Sequence, residues 1–383
     1  MLIRNLPLAG TNSVPGLGFH SSRVGVGVGV GVGVGVGVAD RGLISIPSRN
    51  MVMRNCPRDG SLMRQLAVRF NGAHDSSNPA STVRSSTGSG GGGNKMDKVK
   101  IRRMDGVAIS DIHKCWHEAF ADYKLPFQLP LDRLSIRLRQ VNYDPTFSYG
   151  AFEGGRLIGF WLSGYRRIDG VPTGYDAGTA IVPEWRHSGL SKRLFERVEE
   201  DLRDARVKKY ILEVFCDNHS AISLYEKNGF RQSRLLHCYK ADAIKAYRAY
   251  GNVRYTTRTI LLKELERIYP SLLDYEPSWQ NTWDAMISAA DSTVAAVVEK
   301  DEEVVGYGII QPVSRRISQM GIIKCDVQEA FAGMLLDELY KAVGGDGELE
   351  VVHVPEGDTV IHSLLCKLGF RHLVSLYEMT KTY

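Results

Sequence analysis

Leu190, Leu194, Val198 and Leu202 stand at four-residue steps, and the segments on either side of them, 174–182 and 210–215, read as strands. That spacing draws one apolar stripe along a helix. The same reading continues with a helix over 220–227 and a strand over 233–239. Upstream stand a short strand at 99–102, a helix that Asp105 is expected to cap and that carries Ile109, Ile112, Trp116 and Phe120, and a helix over 131–140. Strands at 147–152 and 157–165 follow, joined by the turn Glu153-Gly154-Gly155. Strands first, then strand and helix in alternation, predict an α/β sheet with helices on its faces. His113 and His117 fall off the apolar stripe of their helix and are expected to be solvent-exposed.

Nothing before Val99 has such periodicity. Val24 to Val38 is a strict Val-Gly alternation, and residues 81–93 are rich in Ser and Gly. Half-glycine sequence loses much backbone entropy on ordering and has few side chains to bury, so residues 1–97 are expected to form a disordered low-complexity extension. Residues 1–94 carry nine Arg, no Lys, three Asp and no Glu, which leaves a net −1 of the chain's +5 for the rest. A near-neutral body argues against a nucleic-acid binder. The absence of any run of 18 or more apolar residues argues against a membrane span. An Arg-rich, acid-poor leader matches a mitochondrial or plastid transit peptide. The favoured expectation is instead a spacer or extension ahead of a start at Met96, with the protein cytoplasmic, and the organelle is the alternative. Six scattered cysteines (Cys56, Cys115, Cys216, Cys238, Cys325, Cys366) and no His cluster give no disulfide framework and no metal site, and they read as reduced core thiols.

The chemistry concentrates at Ile181-Val182-Pro183-Glu184-Trp185-Arg186-His187-Ser188-Gly189-Leu190-Ser191, where a strand turns into a helix N-terminus. Free backbone N–H groups and the positive end of the helix dipole make such a junction an anion site. Gly189 lets the backbone approach a pyrophosphate closely. Taken alone, the stretch is either a site for a phosphate-bearing ligand or an ordinary strand–helix turn.

Arg186-His187-Ser188-Gly189-Leu190-Ser191 resembles the R/Q-x-x-G-x-G/A pyrophosphate loop of the GNAT (GCN5-related) N-acetyltransferases, with Ser at the last small position. Leu212-Glu213-Val214-Phe215-Cys216-Asp217-Asn218 through Ala221, Leu224-Tyr225 and Gly229-Phe230 is similar to the family's second motif. The resemblance covers residues 98–240 and implies a mixed central sheet with helices on both faces, and acetyl-CoA as co-substrate. It implies that the strand edge at Ile181, Val182 and Pro183 pairs with the pantetheine arm. Arg186, His187, Ser188, Gly189, Leu190, Ser191 and Lys192 would hold the pyrophosphate, mostly through main chain, and Asn218 the pantetheine end. Tyr225 aligns with the tyrosine that protonates the departing thiolate. A phenol of pKa ~10 keeps its proton where a thiol of ~8.5 has begun to lose it. Two carboxylates are candidate bases for the acceptor amine: Asp176, six residues before Val182, and Glu213, twelve before Tyr225. Tyr123 and Phe127 lie where the family builds its acceptor wall.

The pattern recurs. Glu302 to Tyr307 echoes Arg156 to Phe160, and Asp358 to Phe370 overlays Asn218 to Phe230 at an offset of 140 residues. Phe331-Ala332-Gly333-Met334 falls where Ser188-Gly189-Leu190 belongs. Arg186 has become Ala330, Ser191 Leu335, Asn218 Asp358 and Tyr225 Leu365, so residues 258–383 read as a degenerate second copy after a linker at 241–257. With no cysteine or serine at a nucleophile position, the expected reaction is direct attack by a primary amine within a ternary complex. The acceptor is expected to be a small-molecule amine, or alternatively a protein N-terminus or lysine. A non-catalytic acyl-CoA-binding protein is the reading from another class.

Overall fold

Among the described residues twelve strands hydrogen-bond into a single mixed sheet. The computed structural model describes residues 95–122, 129–242 and 255–383, all within the compact unit Asn71–Tyr383. The expected extension up to residue 94, Cys56, the acceptor-wall candidates Tyr123 and Phe127 and most of the 241–257 linker lie outside the described residues.

The first half runs β1 (Val99–Arg103), α1 (Ile109–Ala119), α2 (Leu131–Gln140), β2 (Tyr149–Glu153), β3 (Arg156–Ile168), β4 (Val171–Ile181), α3 (Leu190–Asp204), β5 (Lys209–Phe215), α4 (His219–Lys227) and β6 (Arg231–Ala241). The second half runs β7 (Tyr255–Ile260), α5 (Leu262–Leu265), α6 (Trp283–Ser288), β8 (Val294–Lys300), β9 (Glu303–Gln311), β10 (Arg316–Ile322), α7 (Gln328–Ala342), β11 (Leu349–Pro355), α8 (Thr359–Lys367) and β12 (Arg371–Thr382). This is the α/β architecture expected from the periodicity. Helices cover both faces. A side chain at Gly174 of β4 would meet Leu202 of α3, and one at Gly178 would meet Trp116 of α1. The change of face follows a bulge, where the β3–β4 register shifts between Leu162 and Ser163.

Strand order is β1-β2-β3-β4-β5-β12-β6-β11-β10-β9-β8-β7. The last strand of each half therefore sits in the sheet of the other. β12 pairs antiparallel with β5 from Leu376↔Phe215 to Thr382↔Lys209, and β6 pairs antiparallel with β11 from Leu349↔Ala241 to Pro355↔Leu236. β12 and β6 also pair with each other, which joins the halves along a continuous ladder.

Several sequence expectations change. Asp105 caps no helix: a turn with Gly106 at φ +71° intervenes, and α1 begins behind Ala108, which makes no side-chain cap. His113 and His117 are half-buried, and each Nε2 donates to the Leu129 carbonyl, at 2.8 and 2.7 Å, holding the start of α2 against α1. Cys115 and Cys238 are buried thiols, but Cys325 and Cys366 are exposed. Phe331 to Met334 lie inside α7 and form no loop, because that helix already begins at Gln328.

β5 and β6 each lean on β12, so a chain ended at residue 370 leaves facing, unpaired strand edges in both halves. It is expected to express as aggregate. A monomeric product with the full chain's far-ultraviolet circular dichroism and melting temperature would contradict the exchange.

Candidate active site

β4 and β5 run parallel but stay together only through Thr173↔Lys209, Gly174↔Tyr210 and Tyr175↔Ile211. Beyond Tyr175 the strands part. The opening leads into a cavity of about 1310 Å³ that borders Asp176, Ile181, residues 186–187 and 189–192, Glu213, Asn218 and Tyr225, together with Gln280, Arg316 and His353 of the second half. At the far end of β4 the Ile181 carbonyl accepts from Arg186 Nε at 3.3 Å, and the Val182 amide donates to Ile158. Pro183 then opens a turn of 3-10 helix.

The loop that follows is shaped for an anion. His187 (φ +61°) and Gly189 (φ +86°) both take left-handed backbone, which aims the chain into α3. The first intrahelical bond of α3 is Arg193 N–H to the Gly189 carbonyl, so the amides of Leu190, Ser191 and Lys192 precede the ladder. No acidic side chain stands in that first turn to neutralise the dipole. Ser188 Oγ donates to the Trp185 carbonyl at 2.6 Å. The Arg186 guanidinium turns away from the loop: Nη1 and Nη2 bind Asp122 at 2.6 and 2.8 Å, and Nη2 also binds the Ala119 carbonyl at 2.7 Å. Asp122 is held below its ordinary range by this pairing. Arg186 thus ties the loop to the end of α1 and leaves anion contact to main chain. Asn218 caps α4, its Oδ1 accepting from the Ala221 amide at 3.2 Å.

The two candidate bases have different surroundings. Asp176, 6% exposed, accepts from the Gly178 amide (3.0 Å), from Thr179 Oγ1 (3.1 and 2.9 Å) and from Tyr225 Oη (3.1 Å). Burial pushes its carboxyl up to about 6 against those hydrogen bonds. Burial, with Asp176 alongside, also holds the Tyr225 phenol well above its ordinary range, so it keeps its proton. The structure therefore joins two residues that the sequence reading kept apart.

Glu213 of β5, with its side chain 2% exposed, shares the sheet face of Tyr175, which alternation sets opposite that of Asp176. Its Oε2 accepts from Gln280 Nε2 at 2.5 Å and Tyr175 Oη at 3.2 Å, and His353 Nδ1 stands 3.4 Å away. Its Oε1 is buried without a hydrogen-bond partner among the described residues. Glu378 of β12 is its cross-strand neighbour, paired in turn with Arg234 of β6 at 2.8 Å. The Gln280 side chain reaches this point because Trp279 is buried in the first half's core, stacked on Tyr175 at 5.1 Å with Nε1 donating to the Val141 carbonyl at 3.0 Å. Gln280, His353, Tyr175 and Thr179 were missed by sequence reasoning. Only Thr179, three residues past Asp176 on one strand, had a signal to find.

The corresponding split in the second half is filled. β10 and β11 pair only at Arg316↔Glu350 and Ile317↔Val351, and beyond them the Asn281 carbonyl accepts from Gln319 while Asn281 Nδ2 donates to the Val352 carbonyl at 2.9 Å. A Cβ on Gly321 would lie 2.6 Å from the Leu272 carbonyl, so this crossing needs glycine. Among the described residues no group of three or more His, Cys, Asp or Glu is arranged to hold a metal, and no helix is long and apolar enough to cross a membrane.

Residues 111–230 match the model of the "Acetyltransferase (GNAT) family". Over 118 residues the chain is 36% identical to a mycothiol acetyltransferase of Nocardiopsis dassonvillei, covering 29% of this chain and 36% of that protein. Over 109 residues it is 30% identical to N-alpha-acetyltransferase 30 of Schizosaccharomyces pombe, covering 28% of this chain and 73% of that one. Among solved structures, a tandem GNAT protein from the clavulanic acid biosynthesis pathway superposes with a TM-score of 0.58 at 12% identity, over 74% of this chain and 98% of that chain. A GCN5-related N-acetyltransferase from Sphaerobacter thermophilus gives 0.56 at 16%, over 75% and 96%. At these identities the superpositions speak for the fold alone.

The Asp176 carboxyl titrates near 6 in the folded chain, above the ordinary carboxyl range of ~4, so the folded state favours its protonated form. Its contribution to stability is complete below that ordinary range and is lost as pH rises through about 6. Asp176→Asn is therefore expected to stabilise the chain by about 2–3 kcal/mol at pH 8 in urea unfolding. The gain should fade towards pH 4, and an equal gain at both pH values would contradict the burial argument.

Proposed function

The chain belongs to the GNAT acetyltransferase family, and from that premise we propose that it transfers the acetyl group of acetyl-CoA to a primary amine of a small molecule. One observation carries the reading. Glu213, one of whose carboxylate oxygens is buried without a partner among the described residues, and Tyr225 both line the same cavity, and Gln280 and His353 of the second half stand on its Glu213 side. A wall there suits a compact acceptor.

The residues fit the co-substrate: the parted edge of β4 suits an extended amide-bearing arm, and the acid-free start of α3 suits a pyrophosphate. On this reading the acceptor arrives as an ammonium ion and gives one proton to Glu213 Oε1. The freed lone pair forms the new C–N bond at the acetyl carbon, the C–S bond breaks, and the leaving thiolate takes the Tyr225 proton. The acylated nitrogen and Glu213 each release one proton to solvent as the amide and the free thiol depart, while Asp176 draws one from solvent to restore Tyr225. Tyr225 recovers its proton through Asp176, whose carboxyl exchanges protons in the neutral range. Glu213 is favoured over Asp176 as the base because both oxygens of Asp176 are already engaged by Gly178, Thr179 and Tyr225. A second reading, acetylation of protein N-termini, is supported by the similarity to N-alpha-acetyltransferase 30.

The test is release of free CoA from acetyl-CoA over a panel of small primary amines and short peptides with free N-termini. Small amines are expected to turn over fastest, and Tyr225→Phe should lower the rate about 100-fold. Peptides outrunning every small amine would move the proposal to the second reading. Acetyl-CoA bound tightly with no turnover on any acceptor would make the chain a binding protein.

A further inference from the structure

We propose that Gln280, carried by the second half, is a positioning residue of the active site, fixing the Glu213 carboxylate so that one oxygen stays free for the acceptor nitrogen. The inference rests on the acetyl-transfer reading above and adds to it an obligate role for the half without catalytic motifs.

The amide of Gln280 has only one workable orientation. Arg137 Nη1 of α2 donates to its Oε1 at 2.6 Å, which turns Nε2 towards Glu213 and Tyr175. Flipped, the amide would set a carbonyl against a carboxylate and an NH₂ against a guanidinium. Both Nε2 hydrogens are used, one on Glu213 Oε2 at 2.5 Å and one on Tyr175 Oη at 3.0 Å, and Tyr175 itself donates to the same Oε2. All of these donors converge on Oε2, while Oε1 is buried and unpartnered among the described residues, on a side chain that lines the cavity, and on this proposal it is the atom that meets the acceptor nitrogen.

The backbone that carries Gln280 is equally fixed. Gln140 Nε2 donates to the Gln280 carbonyl at 2.8 Å, and the preceding Trp279 is clamped by Arg166, whose guanidinium lies 4.5 Å over the indole and donates to the Trp279 carbonyl at 2.9 Å. The remaining groups that face Glu213 do not take its free oxygen. Glu378 is matched by Arg234, Arg137 reaches the carboxylate only through the amide, and burial lowers the His353 imidazole below its ordinary range, with its Nδ1 directed at Oε2. His353 also holds left-handed backbone, φ +60°, at an irregularity of β11. A non-glycine residue held in that conformation against the carboxylate is strain retained at the site.

The test compares Gln280→Ala and Gln280→Glu with the full chain, using acetyl-CoA and the best amine of the panel. Gln280→Ala is expected to lower kcat about 10- to 100-fold with little change in KM for acetyl-CoA, and to move the acidic limb of the kcat profile to higher pH. Gln280→Glu has the same shape but no donor, and should be the slower of the two. A side chain that merely fills space predicts the reverse order. In the Glu213→Gln background, Gln280→Ala should add no further loss. The inference is overturned by a Gln280→Glu chain at wild-type rate, by an unshifted profile in Gln280→Ala, or by losses that multiply in the double variant. A wild-type chain that acetylates nothing in the panel removes the acetyl-transfer reading and this inference together. An active wild type with an indifferent Gln280 removes only the latter.

Discussion

The short turn Trp279–Asn281 is the constraint on which the rest of the molecule depends. Its three residues are consecutive, yet each is satisfied in a different place: Trp279 in the core of the first half, Gln280 on the Glu213 carboxylate, Asn281 across the split of the second sheet. Emptying a buried tryptophan site typically costs about 3–5 kcal/mol, so the indole alone is a strong anchor. Once it is seated, chain geometry leaves little choice about where the next two residues go. One half's cleft is closed and the other's is furnished by the same few atoms of backbone.

The two clefts differ for reasons that can be traced to individual side chains. The connection from β4 to α3 spans 182–189 and includes two left-handed residues, whereas that from β10 to α7 spans 323–327 and leads to a first turn containing Glu329. A carboxylate there opposes an anion where the first half invites one. Asp358 stands in place of Asn218 but still caps its helix, its Oδ1 accepting from the Ile361 amide at 3.1 Å as Asn218 does for Ala221. The substitution preserves helix α8 and discards amide chemistry. Leu365, in place of Tyr225, keeps the volume buried and removes the proton.

Much of the fold was legible because it is written in short-range periodicity. The four-residue steps of α3, the turn at Gly154-Gly155 and the strand–helix junction at Gly189 each report a local conformation, and each lies where expected. What was not legible depends on which chemically adequate partner is nearest in space. Both copies end in a strand that fits beside either fifth strand, so their exchange leaves no mark on the pattern. Asp105 has a capping residue's chemistry but is too far from α1 to use it. His113 and His117 lie off the stripe of their helix, and only the return of the chain through Leu129 gives them an acceptor. Arg186 stands at the position of an anion-binding motif, and Asp122 claims its guanidinium. No signal in the sequence connects residue 280 with residue 213.

The exchange of β6 and β12 has a consequence in time as well as in space. During synthesis the segment bearing Glu213 leaves the ribosome long before residues 371–382, which supply its antiparallel neighbour. For that interval the emerging chain exposes an unpaired, largely apolar strand edge, the kind of surface that chaperones hold and that misassembles between copies. The half that carries Glu213 thus waits on a strand encoded more than a hundred codons downstream before its sheet is complete.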